Sequence, residues 1–113
     1  MLKAKYRLVK KRDFQQIRTR GKSVFYNFFR LRFMANQSEN SRFAVVVSVK
    51  VSKKATGRNR LRRQVNEILR LNLAKIKPNQ DIVIFVNNRA LEKKYQELKQ
   101  DLFFVLTKAK LIK

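Results

Sequence analysis

Several residue types that perform catalysis are missing or scarce in this 113-residue sequence. It contains no cysteine and no histidine, which excludes disulfides, thiolate nucleophiles, imidazole catalysis and histidine-ligated metals. With only two glycines, it also lacks the glycine-rich loop that cradles phosphates in nucleotide-binding enzymes. The absence of cysteine is typical of a cytoplasmic protein, and that is the location we expect.

Acidic residues are equally scarce, with seven in the whole chain. They form no D-x-D or E-x-x-H pattern, and we predict no metal ligands among them. Glu97 and Asp101 lie one helical turn apart on a lysine-rich face, where we interpret them as a solvated pair. Because a metal-dependent nuclease requires clustered carboxylates, the sequence predicts a binding protein with no catalytic residues of its own.

Long apolar segments are missing as well. The chain has no run of 18 apolar residues, and its first residues, MLKAKYRLVKKRDF, lack the apolar stretch of a secretory signal. We therefore expect no membrane partner. The hydrophobic content of 44% argues against a disordered basic tail, and the length suits one domain spanning residues 1–113.

Positive charge is what the sequence has in abundance. Lysine and arginine number 29, which gives a net charge of +22. A compact domain that repels itself this strongly usually has a polyanionic partner, and nucleic acid is the leading class.

The charge is concentrated between Lys50 and Arg63, in the sequence KVSKKATGRNRLRR, which has seven basic residues and no acidic one. Guanidinium groups match phosphate with a planar, permanently charged fork, so this segment is predicted to bind nucleic acid. A solvated helix face is the alternative. The predicted binding residues are Lys50, Lys53, Lys54, Arg58, Asn59, Arg60, Arg62 and Arg63.

The second half of this segment begins an amphipathic helix that is predicted to run to about Lys75. Its apolar residues recur at helical spacing and should anchor one side in a core, while the opposite side presents amides and guanidinium groups. The apolar stripe comprises Leu61, Val65, Ile68, Leu69 and Leu73, and the opposite stripe comprises Asn59, Arg63, Asn66 and Arg70.

The other predicted elements lie on both sides of this helix. Before it come a helix from about Lys10 to Arg20, ended by Gly21, and two strands. The strands span Ser23–Ala35 and Arg42 to about Val49; a short loop joins them, so they should pair antiparallel. The second is valine-rich and predicted to be buried on both faces.

After the basic helix, DIVIFV at residues 81–86 predicts a central third strand. A last helix, capped by Asn87 or Asn88, is predicted to reach about Ala109. The order α-β-β-α-β-α indicates an α+β sandwich, with one small mixed sheet and helices packed on it.

The long first strand alternates in a way that suggests an RNA-binding face. Its odd positions are apolar and should face the core, whereas the even positions mix aromatic and basic residues. Such a mixture suits base stacking and phosphate neutralisation, although an edge strand guarded by arginines is the alternative. The even set is Val24, Tyr26, Phe28, Arg30, Arg32 and Met34. Phe14, on the first helix, could serve either as core or as ligand.

The segment Arg58-Asn59-Arg60-x-Arg62-Arg63 resembles the arginine-asparagine-arginine signature of the bacterial ribonuclease P protein component. The resemblance covers about residues 6 to 110 in the same order of elements. Its further parts are Asp13-Phe14-Gln15 followed by Gly21-Lys22-Ser23, then Ser48-x-Lys50 leading to Ala55 and Arg58, then Asp81-Ile82-Val83-Ile84 and the leucine-rich last helix.

This resemblance implies a protein subunit that assists a catalytic RNA with bound magnesium. The ribonucleoprotein removes the 5′ leader from precursor tRNA, so no DNA partner is expected. The signature would dock on the catalytic RNA, and a cleft between the first helix and the sheet would hold the single-stranded leader. The implied and predicted cleft residues are Phe14, Arg18, Tyr26, Phe28, Arg30 and Arg32.

Some positions depart from the family pattern. Arg18 and Arg32 stand where the cleft commonly carries aromatics, which implies more electrostatic contact and less stacking. Asn66 stands where the signature helix often adds an arginine, and lysines at 53 and 54 replace small residues. The family's strand-helix-strand crossover is left-handed, whereas the general rule predicts a right-handed one.

Two other functions remain as alternatives from the sequence. A ribosomal or general RNA-binding protein of similar build would bind RNA without preferring precursor tRNA. A protein-only nuclease would cleave RNA unaided, which the scarcity of carboxylates disfavours.

Overall fold

The computed structural model describes residues 2–50 and 53–113. Within them, three helices and four strands follow in the order α-β-β-β-α-β-α. The helices are α1 (Lys11–Arg20), α2 (Ala55–Leu71) and α3 (Tyr95–Lys108), and the strands are β1 (Lys22–Tyr26), β2 (Phe29–Ala35), β3 (Arg42–Val47) and β4 (Gln80–Val86). The predicted α+β class is correct, with one strand more than the sequence indicated.

The additional strand arises because the predicted strand Ser23–Ala35 is a hairpin. Asn27 and Phe28 form a two-residue turn, and Tyr26 pairs with Phe29 across it. Asn27 has a φ of 50°, a left-handed conformation that asparagine tolerates better than most residues. Its side chain donates to Asp101 Oδ2 at 2.5 Å, and its carbonyl accepts from Asn87 Nδ2 at 2.6 Å. The turn is therefore held by tertiary contacts.

The sheet has the strand order β1-β2-β4-β3. Strand β4 is central, as predicted, and is antiparallel to β2 and parallel to β3. The prediction that β2 and β3 pair with each other was wrong, because the almost wholly apolar β4 lies between them. Strand β3 is consequently an edge strand, and it ends at Val47, before the predicted end near Val49. The prediction of burial on both faces was also wrong, because Val46 shares the open face with Phe85 and is 36% exposed.

Helices cover the sheet on both faces. On one face, α2 and α3 form the main core with Phe29, Leu31 and Phe33 of β2. Four residues of the predicted apolar stripe are buried in α2: Leu61, Val65, Ile68 and Leu69. The fifth, Leu73, lies beyond the helix in a 3-10 turn and is half-buried. On the other face, Ile17 of α1 packs on Val83 in a smaller cluster. This asymmetry leaves part of the second face open beside α1.

The ends of the helices differ in detail from the predictions. Helix α2 ends at Leu71, and a 3-10 turn at Leu73–Lys75 takes the place of its predicted last turn. Asn87 caps a 3-10 turn at Asn88–Ala90, while α3 begins later, at Tyr95. No helix in the described ranges is long and apolar enough to cross a membrane.

Gly21 ends α1 as predicted. It does not adopt the left-handed conformation in which glycine commonly follows a helix. Its φ of −73° and ψ of 156° are extended and open to any residue. Its amide donates to Ile17 O at 2.8 Å, and a Cβ at this position would lie 2.3 Å from that oxygen. The lack of a side chain therefore allows β1 to begin directly beside the end of α1.

Candidate nucleic-acid interface

A cleft of about 560 Å³ lies between α1 and the open face of the sheet. One wall is formed by α1 and the floor by β2 and β4. The lining residues are Lys11, Phe14, Gln15, Ile17 and Arg18 from α1, and Arg30, Arg32, Val83 and Phe85 from the sheet. Four predicted cleft residues, Phe14, Arg18, Arg30 and Arg32, are thus brought together.

The cleft floor combines aromatic rings with a cation. Strand pairing aligns Phe25, Arg30, Phe85 and Val46 in one row across the sheet. The guanidinium carbon of Arg30 lies 4.7 Å from the centroid of the Phe85 ring, a cation–π arrangement. Phe25, at the edge of the row, is 56% exposed. Such a floor can stack a base and contact its phosphate without reading base identity.

Sequence reasoning missed Phe25 and Phe85 as members of this face. Phe85 belongs to an almost wholly apolar strand, in which alternation gives no sign of an open side. Phe25 was assigned to the core because the turn at Asn27 was not recognised. If β4 had been paired with β2, with Phe85 opposite Arg30, Phe85 would have been placed on this face. That pairing depends on the insertion of β4 between β2 and β3.

Two predicted cleft residues lie elsewhere, and their assignment to the cleft was wrong. The Tyr26 ring stacks on Phe104 of α3 with centroids 4.1 Å apart. Phe28 is only 6% exposed and belongs to the main core. Both lie on the face of the sheet covered by α2 and α3. The two-residue turn interrupts the alternation, so even positions before and after it do not share a face.

Arg32 holds the C-terminal end of α1. Its terminal nitrogen Nη2 donates to the carbonyl oxygens of Ile17 at 3.0 Å, Arg18 at 2.7 Å and Gly21 at 3.1 Å. These carbonyls include ones that helix termini leave without intrahelical partners. Arg32 borders the cleft, but its guanidinium positions the wall and is not free to follow a phosphate.

The N-terminal end of α1 is held by a charged cluster. Asp81 is 5% exposed and accepts from Arg42 Nε at 2.8 Å, Arg42 Nη2 at 2.7 Å and Asn36 Nδ2 at 2.7 Å. Arg42 Nη1 also lies 3.4 Å from Asp13 Oδ2 in the first turn of α1. The hydrogen bonds to Asp81 raise the pKa of the Arg42 guanidinium above its ordinary value. The cleft wall is therefore fixed at both ends.

A second basic surface occupies the first half of α2. Asn59, Arg60 and Arg63 are exposed. Arg62 is half-buried, and its Nη2 donates to Asn59 Oδ1 at 2.6 Å. Arg58 is half-buried in the same turns, and exposed Lys50, Lys53 and Lys54 precede the helix. Val51 and Ser52, which belong to the predicted basic segment, lie outside the described residues. The signature side chains are thus presented together on a fixed helix.

Further along α2 the charge is neutralised locally. Arg70 pairs with Glu67 through two hydrogen bonds, of 2.5 and 3.0 Å. This pairing lowers the pKa of Glu67 and raises that of Arg70. Arg70 was predicted to share the polar stripe with Arg63, but its charge is compensated. The net positive charge of the helix is therefore concentrated in its N-terminal half.

Several carboxylates are used structurally. Asp13 and Asp81 lie beside Arg42, and Asp101 accepts from Asn27, which contradicts the prediction that Asp101 is merely solvated. In the part of the chain that the structure describes, no three residues among His, Cys, Asp and Glu come together in a way that could hold a metal ion.

The family model for ribonuclease P matches residues 2–110 of this chain. The chain belongs to the ribonuclease P protein family. It is 35% identical over 113 residues to the ribonuclease P protein component of Pseudanabaena sp., covering 99% of this chain and 97% of that protein. It is 38% identical over 109 residues to the Fusobacterium nucleatum component, covering 93% of this chain and 97% of the relative.

Solved structures agree with this membership. The Staphylococcus aureus RNase P protein superposes with a TM-score of 0.87 at 28% identity, over 96% of this chain and 98% of that chain. The Thermotoga maritima RNase P protein superposes with a TM-score of 0.83 at 33% identity, over 90% of this chain and 96% of that chain. The resemblance identified from the signature is confirmed, and the alternative of a general RNA-binding protein is not favoured.

Family membership assigns this chain the role of protein subunit of ribonuclease P, an endoribonuclease of tRNA processing. The protein is the accessory subunit of that enzyme, and the family implies a ribonuclease P RNA as its partner.

Proposed function

We propose that the cleft between α1 and the sheet binds the single-stranded 5′ leader of precursor tRNA, while the first half of α2 docks on the catalytic RNA. The observation that carries this proposal is the combination of stacking groups and cations in the cleft. Phe14 and Phe85 offer rings, and Lys11, Arg18 and Arg30 offer positive charge.

The chemistry of the cleft suits a strand of varied sequence. Every base has a face that can stack on an aromatic ring, and every nucleotide carries a phosphate. In the part of the chain that the structure describes, the lining includes no acidic residue that would repel the backbone. Stacking contributes about 1–3 kcal/mol per base, so one or two stacked bases would give a useful preference for leader-bearing substrates.

The basic half of α2 suits a structured RNA. Its arginines lie on one rigid helix whose apolar stripe is buried, so their spacing is fixed before binding. This surface and the cleft lining have no residue in common. The protein can therefore contact the catalytic RNA and the leader simultaneously.

In this proposal, magnesium ions bound by the RNA subunit supply the cleavage chemistry. The described residues offer no cluster of carboxylates that fits a magnesium site, and we assign no catalytic step to them. The protein contributes affinity and placement of the leader relative to the RNA.

The leader site is tested by replacing Phe14 with alanine in the reconstituted holoenzyme. Affinity is measured for a precursor tRNA with a 5′ leader and for the mature tRNA. We expect Phe14→Ala to weaken binding of the precursor by about fivefold to more than a hundredfold, the equivalent of 1–3 kcal/mol, with little change for the mature tRNA.

Phe104→Ala is the matched control for this experiment. Phe104 is also a partly exposed phenylalanine, but it lies on the opposite side of the sheet, stacked on Tyr26. It should leave the preference for the precursor unchanged. Equal losses for precursor and mature tRNA with Phe14→Ala would remove this residue from the leader site.

A further inference from the structure

A second pocket lies at the end of the sheet where β2 stops and β4 begins. It has a volume of about 490 Å³ and shares no lining residue with the cleft. Its apolar lining includes Phe33, Met34 and Leu111, of which Phe33 and Leu111 are buried. The signature residues of α2 do not line it.

Four cations from four separate parts of the chain surround this pocket. Arg20 ends α1, Lys22 begins β1, Lys77 precedes β4 and Lys110 follows α3. All four are exposed, and no acidic side chain among the described residues lines the pocket. Within residues 2–50 and 53–113, none of the four forms a salt bridge. Four uncompensated cations that repel each other favour an anion between them.

Backbone hydrogen bonds around the pocket fix the main-chain positions of two of these residues, Lys77 and Lys110. The Lys77 amide donates to Leu111 O at 2.6 Å, which ties the segment before β4 to the segment after α3. The Lys110 amide donates to Thr107 O at 2.9 Å, and the Leu111 amide to Leu106 O at 2.9 Å, which ends α3. The positions of the Lys77 and Lys110 backbones are therefore set by the fold.

We propose that this pocket binds the phosphodiester backbone of RNA, at a site separate from both the cleft and the α2 surface. This proposal rests on the proposed function only in that RNA is taken as the partner. Besides its apolar residues, the pocket is lined by four cations and one amide, Gln80, and cations contact phosphate whatever the base. It therefore adds affinity without sequence preference.

The test compares two double variants that lower the net charge equally. Lys22→Gln with Lys77→Gln removes two charges at the pocket. Arg89→Gln with Lys93→Gln removes two exposed charges at the opposite end of the sheet, beside the Asn27 turn. Affinity for ribonuclease P RNA is measured by salt titration, alone and in the holoenzyme with precursor tRNAs of short and extended leaders.

For each phosphate that the pocket variant no longer neutralises, RNA binding should be about five- to eightfold weaker at 0.1 M salt, with the salt slope about 0.7–0.9 smaller. A weaker complex with the catalytic RNA alone identifies that RNA as the source of the phosphate. A loss only with extended leaders identifies the leader. Equal effects of the two double variants on every RNA would overturn the proposal, whatever Phe14→Ala shows at the cleft.

Lys110→Gly is an independent variant that removes a pocket charge and should not destabilise the fold. Lys110 has a φ of 61°, a conformation that glycine adopts more easily than lysine. The variant should therefore unfold at an equal or higher urea concentration than the parent while binding RNA more weakly. Undiminished RNA affinity in a stable Lys110→Gly protein would contradict a role for this side chain in the pocket.

Discussion

The Nη2 nitrogen of Arg32 lies 2.7 Å from the backbone carbonyl oxygen of Arg18 and joins the middle strand β2 to the end of helix α1. Two further carbonyls, of Ile17 and Gly21, accept from the same nitrogen. In the family pattern that the sequence resembles, the positions of Arg18 and Arg32 commonly carry aromatics. Here the position of Arg32 serves to hold the wall of the cleft. In the proposed leader site, Phe14 and Phe85 are the rings that would stack bases.

Replacing Arg32 with alanine should therefore destabilise the protein as well as the cleft. Charged hydrogen bonds contribute about 1.5–3 kcal/mol, and we expect the free energy of unfolding to fall by about 1–3 kcal/mol. Urea unfolding measures this change. Arg30→Ala is the matched control, since Arg30 is exposed and lies over the Phe85 ring. If both variants unfold like the parent, Arg32 does not secure α1.

Gly21→Ala should destabilise the same junction for steric reasons. The added Cβ would lie 2.3 Å from Ile17 O, so the end of α1 or the start of β1 must shift. We expect a loss of about 1–3 kcal/mol in the free energy of unfolding, as for other overpacked sites. The measurement is thermal or urea unfolding. A variant as stable as the parent would mean that this junction accommodates a methyl group without strain.

Arg63→Ala should weaken binding to the catalytic RNA and reduce its dependence on salt. For each phosphate no longer neutralised, the slope of log K against log salt should decrease in magnitude by about 0.7–0.9. The effect on holoenzyme activity should be largest at high salt, and Arg62→Ala should act in the same direction. Arg70→Ala is the control, because Arg70 already pairs with Glu67. Slopes identical to the parent for Arg62→Ala and Arg63→Ala would count against phosphate binding by these residues.

The Glu67–Arg70 pair should give a small pH-dependent contribution to stability. The hydrogen bond to Arg70 lowers the pKa of Glu67 in the folded protein. The stabilising contribution is therefore present above the pKa of Glu67 in the unfolded chain, and it is lost as pH falls through the lower pKa of the folded protein. The difference in stability between the parent and Glu67→Gln should therefore be present at pH 7 and vanish in acid below the ordinary glutamate range. If the difference in stability persists unchanged at low pH, it comes from packing and not from charge.

Local patterns predicted the helices of this protein well. The apolar stripe of α2 is buried as its spacing indicated, and the basic signature is brought together on that helix. Both depend on neighbours three and four residues apart, which a helix places on one face whatever the rest of the fold does. The arginine-asparagine-arginine segment could therefore be recognised without the structure.

The sheet was predicted less well, because its errors come from long-range contacts. The turn at Asn27 is secured by Asp101 and Asn87, residues far away in the sequence, and no glycine or proline marks it. Missing that turn placed Tyr26 and Phe28 on the wrong face. The insertion of β4 between β2 and β3 likewise depends on burying an apolar strand, which no short-range pattern reveals.

This chain is the accessory subunit of ribonuclease P, and we propose that it assists an RNA catalyst at the 5′ end of tRNA. The most direct measurement is cleavage of a 5′-extended precursor tRNA at low magnesium, with ribonuclease P RNA alone, this protein alone, and both together. We expect cleavage at the mature 5′ end only when both are present. Two results would contradict this role: cleavage by the protein alone, or a protein that binds an RNA from the same organism without stimulating cleavage.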